Sequence, residues 1–330
     1  MLFMLLVLGL AVLSGCGAHS SNLETATAAP TIPITITAAP AAINTPSATP
    51  NQPPESTPPP PATVTPEPAP ILTVPGPAAS SCLGSAEKAI VDLDCREITI
   101  AVENAYPPFN YIRFSTGQPG GWDYDVWNAL CTRLHCSPSF IQVPWDGMIQ
   151  AVADGQYDTA ADGITIMEER KQIVDFSTGY VTVDQRLLAR AGETRFASMD
   201  DFIRNDKLVI GAQAGTINYQ TVVKLLPESR IKPFEQFPSA VQALISGDID
   251  AVIMDETDGQ GYLGENPEKV ELIGPPISRD QLGFIFPKGS PLVEPVDKAL
   301  QAMIADSSLD AFNEKYFGES FKSIASDIKH

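Results

Sequence analysis

From about Arg96 onward, short apolar runs alternate with stretches in which apolar residues recur every three to four positions. That alternation predicts an α/β domain whose strands are covered by helices. Glu97–Val102 reads as a strand. It runs into Asn104-Ala105-Tyr106-Pro107-Pro108-Phe109, where the prolines forbid helix and stiffen the loop. After a glycine-rich turn, Asp123 or Asp125 is expected to cap a helix with Tyr124, Trp127, Cys131 and Leu134 on one face. Trp122, Trp127 and Phe140 read as core. Further on, Lys207–Ala212 and Leu282–Phe286 read as strands. Tyr219–Leu226, Val293–Ala305 and Leu309–Tyr316 read as helices. Leu187–Arg190 is an extended apolar segment able to carry the chain between two parts of the fold.

The stretch from Tyr157 to Arg170 organises the rest. Tyr157–Ala161 reads as a strand that Asp162 and Gly163 break. Thr165, with Glu168 three residues later, reads as a capping box opening a helix that carries Arg170 in its first turn. Open α/β sheets bind ligands just outside the carboxyl ends of their strands. A turn offering backbone N–H groups, a hydroxyl and a guanidinium suits a carboxylate. A capped surface helix with Arg170 paired to a neighbouring acid is the plainer alternative. The helix, glycine stop and strand entry of residues 147–158 recur in residues 240–250. The first unit leads to Asp162 and the second, through Ala251–Met254, to Asp255. Two such units suggest two lobes facing one cleft. Gln213-Ala214-Gly215-Thr216-Ile217-Asn218 is a second loop-to-helix start with free N–H groups.

Composition separates this foldable part from what precedes it. The first sixteen residues form an apolar run too short to span a bilayer as a mature helix. They end in Leu13-Ser14-Gly15-Cys16, which resembles a bacterial lipoprotein signal cleaved before a lipidated Cys16. The usual positively charged start is missing, so either the initiator lies upstream or the signal is atypical. Residues 17–80 hold roughly half of the chain's 30 prolines and no Lys or Arg. Such a segment cannot bury enough apolar surface to offset chain entropy, and it reads as a disordered tether. Lipid and tether together place the domain outside the cytoplasmic membrane. Net charge is -19, which argues against nucleic acid. Cys82, Cys95, Cys131 and Cys136 remain after Cys16. Proximity in sequence favours Cys82–Cys95 and Cys131–Cys136 disulfides over zinc, for which CxxC spacing is lacking. The three histidines, His19, His135 and His330, are not placed as a general base, which disfavours Ser-His and Cys-His hydrolases. No metal or cofactor site is read.

The motifs YPPF, GGWDYD, WDGMIQAVADGQYD, DGITIMEERKQIVDFS, IGAQAGT, LISGDIDAVIMD and LGFIFPKG, in that order from about Arg96 to Gly318, resemble the family 3 extracellular solute-binding proteins. The resemblance implies the type II periplasmic-binding-protein fold: two α/β lobes with a ligand cleft between them, joined by two crossover segments. It places lobe 1 at residues 96–187 plus 284–325 and lobe 2 at 188–283. It implies a monomer that captures a polar amino acid by lobe closure and hands it to the membrane permease of an ABC importer. Arg170 matches the arginine that holds the ligand's α-carboxylate, helped by Thr165, the Gly163 N–H and the amides of Thr216 and Ile217. Asp255 matches the acid that takes the α-ammonium. Tyr106 and Trp145 match aromatics along the ligand side chain, and Glu103 and Asp123 match residues that select it in basic-amino-acid binders. Asp162 departs from the family's small residues and adds negative charge, which either biases the site toward a cationic side chain or repels the α-carboxylate. Surplus acid at Glu103, Asp123 and Asp162 therefore fits a lysine- or arginine-like ligand. A helix N-cap is the plainer reading of Asp123, and a solvated strand end that of Glu103. The same fold also serves cyclohexadienyl and arogenate dehydratases, which is the enzyme alternative. A sensory module is disfavoured because nothing after Phe317 reads as a signalling domain.

Overall fold

A computed structural model of the chain describes residues 82–318, 321 and 328–329. Residues 1–16, read as a signal ending in Cys16, and residues 17–80, read as a tether, lie outside the described residues. Two larger sheets divide most of the rest, and a small third sheet joins Ala105–Tyr106, Asn110–Arg113, Pro119–Gly120 and Ile328–Lys329. The first runs in the order Ser137–Gln142, Glu97–Val102, Thr159–Ala160, Ile285–Pro287, Val174–Phe176. Its first three strands are parallel, and Ile285–Pro287 is antiparallel to both neighbours. The second runs Ile231–Phe234, Ile210–Gln213, Ala251–Asp255, Val181–Arg190, Val270–Ile273, with the first three strands again parallel. Crossover helices cover such parallel strands, so their side chains are buried on both faces. Ile98, Ile100, Ala101 and Val102 are accordingly buried, as are all five residues of Ala251–Asp255.

The connection between the sheets is a two-stranded ribbon. Val181–Arg190 pairs along its first half with Arg279–Leu282, Val181 opposite Leu282 and Asp184 opposite Arg279. Along its second half it pairs with Ala251–Asp255 and Val270–Ile273. The chain thus crosses outward and back through two hydrogen-bonded segments. Leu187–Arg190 is the far end of one longer strand, already inside the second sheet.

The helix Trp122–Leu134 packs its apolar face on the first sheet. Trp122, Val126, Trp127, Leu130 and Leu134 are fully buried, and each stabilises the fold by about 1.5–3 kcal/mol. His135 stops this helix in the left-handed conformation at φ 52°. The disulfide Cys131–Cys136 (2.11 Å) joins the helix end to the next strand, and Cys82–Cys95 (2.12 Å) ties down the start of the described chain.

Several local expectations give way to tertiary contacts. The Trp122–Leu134 helix is capped by Gly121 (φ 133°), not by Asp123 or Asp125. The N–H groups of Trp122 and Asp123 are already taken by the carbonyls of Pro108 and Phe109, leaving no work for a side-chain cap. No capping box forms at Thr165. It makes a bridge with Leu282, and the short helix Glu168–Lys171 begins three residues later without a side-chain cap. The strand expected at Tyr157–Ala161 shrinks to Thr159–Ala160, and that at Leu282–Phe286 splits into Arg279–Leu282 and Ile285–Pro287. Val293–Ala305 is a helix over the whole expected range.

Candidate functional site

A cavity lies where the carboxyl ends of the two sets of parallel strands face each other. It is lined by Glu103, Tyr106, Trp145, Asp162, Gly163, Thr165, Arg170, Gln213, Thr216, Ile217, Asn218, Phe237 and Asp255. Ten of these are the residues singled out in the sequence. Asp123 is the exception. It is fully buried on the inner face of its helix, behind the cavity wall, where its Oδ2 accepts from Asn110 Nδ2 at 2.9 Å. Gln213, Asn218 and Phe237 were not anticipated. A polar Gln213 ending a strand just before Ala214-Gly215-Thr216 was a readable signal, and Phe237 opening a helix was not.

Each side of the cavity is built from local structure. Arg170, in the helix Glu168–Lys171, is 8% exposed. Its NH1 donates to the Thr165 carbonyl at 3.0 Å, and its guanidinium lies 5.4 Å from the centre of the Trp145 ring. Gly163 is left-handed at φ 57°, and a Cβ there would stand 2.4 Å from Tyr106 Cε1, so only glycine allows the Tyr106 ring to close over this turn. Opposite, Thr216 caps the helix Ile217–Leu225, its Oγ1 accepting from the Tyr219 N–H at 3.1 Å and donating to the Gln213 carbonyl at 2.7 Å. The Ile217 and Asn218 amides open that helix at the cavity wall, where a helix provides them no backbone acceptor. Asp255 ends its strand and begins the helix Glu256–Glu265.

Hydrogen bonds between the two sides hold them together. Tyr106 Oη donates to Asp255 Oδ2. Gln213 Nε2 donates to Glu103 Oε1 and Oε2 at 3.0 and 3.1 Å. Arg170 NH2 donates to the Gly215 carbonyl at 3.5 Å, and Tyr262 Oη to the Ala105 carbonyl at 3.4 Å. Asp255 Oδ1 is buried and outside hydrogen-bond geometry with any described partner, although the Asn218 amide stands beside it.

Charge in the cavity is lopsided. Three carboxyl groups line it against one guanidinium. Burial pushes Glu103 up to about 7, with the Gln213 amide and the Trp145 N–H pulling it back. Asp162 is held well above its ordinary value, first by burial and then by Glu103 beside it. Burial raises Asp255 to about 6 against the Tyr106 hydroxyl, and lowers Arg170 to about 10 against the Asp255 charge. Such a site penalises anions and gains from a cation that lets its carboxyls ionise.

Two α/β lobes joined by a two-stranded crossover and closed on a polar cleft make up the type II periplasmic-binding-protein fold. Residues 98–319 match the family described as "Bacterial extracellular solute-binding proteins, family 3". The chain belongs to that family, whose members act outside the cytoplasm. It is 26% identical over 223 residues to the L-cystine-binding protein of Escherichia coli (strain K12), covering 67% of this chain and 82% of that one. A solved structure described as an ancestral arginine-binding protein bound to glutamine is similar at TM-score 0.63 and 33% identity, covering 68% of this chain and 98% of the other. Another, the ancestral amino acid-binding protein AncCDT-1, described as a precursor of cyclohexadienyl dehydratase, is similar at TM-score 0.61 and 30% identity, covering 67% and 95%.

Proposed function

We propose that the protein is the substrate-binding component of an ABC importer and that it captures a basic amino acid by closing its lobes. Arg170 takes the α-carboxylate, with Thr165, the Gly163 N–H and the Thr216 and Ile217 amides as further donors. Asp255 takes the α-ammonium, and Tyr106 holds its other oxygen. The ligand side chain extends along Tyr106 and Trp145 toward Glu103 and Asp162. Arg170 and Asp255 in one buried cavity with surplus acid is the observation that carries this reading. A zwitterion matches the first pair, and a cationic side chain answers the rest. The lobes divide at the ribbon formed by Val181–Arg190 and Arg279–Leu282. Cys16 carries the lipid anchor, the segment 17–80 is the tether, and the protein works as a monomer.

A thermal-shift screen over the amino acids, followed by calorimetric titration, tests the assignment, because a ligand bound only by the native state raises the melting temperature. Arginine, lysine or ornithine should give the largest shifts. A strong shift with glutamate and none with these would overturn it. On this reading the protein performs no chemistry. The likeness to a dehydratase precursor, together with a Glu103 raised to about 7, favours one rival, an elimination in the same cleft. Incubation with prephenate or arogenate decides between them, since an aromatic product would replace the binding role with an enzymatic one.

A further inference from the structure

Asn110 does not line the cavity and is fully buried. It is the first residue of the strand Asn110–Arg113. Its side-chain Oδ1 accepts from the Asn104 N–H at 2.6 Å. That bond settles which way the amide faces, because the N–H donor must meet oxygen. The Nδ2 group then points at two carboxylates, donating to Asp162 Oδ1 at 2.7 Å and to Asp123 Oδ2 at 2.9 Å. Asp162 Oδ1 also accepts from the Glu103 N–H at 3.3 Å. Both described donors to Asp162 therefore use one oxygen, and Oδ2 is left for the cavity that Asp162 lines. Asp123 has its Oδ1 without a partner and makes its one described side-chain bond to Asn110.

We propose that Asn110 is a positioning residue that turns the Asp162 carboxylate toward the cationic end of the ligand, and that Asp123 acts on the site only through Asn110, by anchoring its amide. This rests on the basic-ligand reading above and adds to it the residues that set selectivity without touching the ligand. Two fixed donors on Oδ1 stop the Asp162 side chain from rotating, and they favour its charged form when a cation arrives. Asp123 holds the second N–H of Asn110, so the amide cannot swing away from Asp162. Asp123 matches a family position that selects the ligand side chain, but here it stands one residue behind the cavity.

The test is a double-mutant cycle read by calorimetric titration with arginine and with citrulline, its uncharged isostere. Wild type, Asn110→Ala, Asp162→Ser and the double variant are each titrated with both, folding being checked by circular dichroism. Wild type should prefer arginine. Asn110→Ala should lose about tenfold or more of that preference, the worth of a charge-assisted hydrogen bond. In the Asp162→Ser background the same change should move the ratio by less than about threefold. Equal effects of Asn110→Ala in the two backgrounds, or none in either, would overturn the proposal while leaving the function intact. A wild type with no preference for arginine would sink the functional reading itself. Should Asn110→Ala not fold, Asn110→Leu fills nearly the same space with neither a donor nor an added charge, and the same two ratios decide.

Discussion

Asp258 stands in the first turn of the helix Glu256–Glu265, fully buried, with neither carboxyl oxygen bonded to any described group. Asp255 and Tyr262 flank it on the same helical stripe, and these two bond Tyr106 and the Ala105 carbonyl across the cleft. Burial holds its pKa well above the ordinary value, and the nearby Asp255, Glu103 and Asp162 add to the effect. The folded state therefore keeps a proton that the unfolded chain releases near pH 3.9. Stability from this group is fully present below that pH and is lost as pH rises toward the folded value. Each pH unit over which the folded state keeps that proton and the unfolded chain does not costs about 1.4 kcal/mol. Asp258→Asn removes the titration and leaves size nearly unchanged. Any constant effect of the amide cancels when two pH values are compared. Urea unfolding at pH 5 and pH 7 should show the variant gaining on the wild type as pH rises, by up to about 1.4 kcal/mol per pH unit. A gap that stays constant to within about 0.5 kcal/mol would mean that Asp258 is ionised in the native state, and the burial argument would be wrong.

Three further outcomes follow from the same geometry. Arg170→Met keeps length and apolar contact with Trp145 but removes the fork, so amino-acid affinity should fall by about 2–5 kcal/mol in a titration that leaves the fold intact; an unchanged affinity would remove Arg170 from the site. Gly163→Ala forces a Cβ against the Tyr106 ring from a left-handed backbone, so binding should weaken at least tenfold while circular dichroism stays native, and tight binding would show that the turn relaxes freely. Arginine affinity should fall as pH drops from 8 to 5, by up to about tenfold per pH unit for each proton displaced, because Glu103 at about 7 and then Asp255 at about 6 take up protons that the cation must displace. A flat profile in calorimetry would place the cationic group elsewhere.

What the sequence conveyed and what it hid divide along the range of the interactions involved. The Glu97–Val102 strand and the Val293–Ala305 helix came through because their apolar spacing is their own. Arg170 and Asp255 were legible because each follows a strand end, and a strand's carboxyl end is where an α/β sheet receives ligands. Thr165 failed as a cap because its backbone is already bridged to Leu282, more than a hundred residues away in sequence. Asp123 failed both as a cap and as a cavity residue for one reason: the Pro108 and Phe109 carbonyls take the amides at the helix start and turn the side chain inward, where Asn110 meets it. The run from Asp255 to Tyr262 carries three acids and two glycines and has the pattern of a solvated helix start, yet Asp258 is sealed inside. The Ala105–Pro107 segment of the other lobe lies against the same helix: a Cβ built on Gly261 would stand 3.4 Å from Pro107, and Tyr262 Oη donates to the Ala105 carbonyl. A residue buried on a helix that meets a segment distant in sequence has no local signature. Groups placed by such long-range contacts are therefore the ones that local patterning is least able to find.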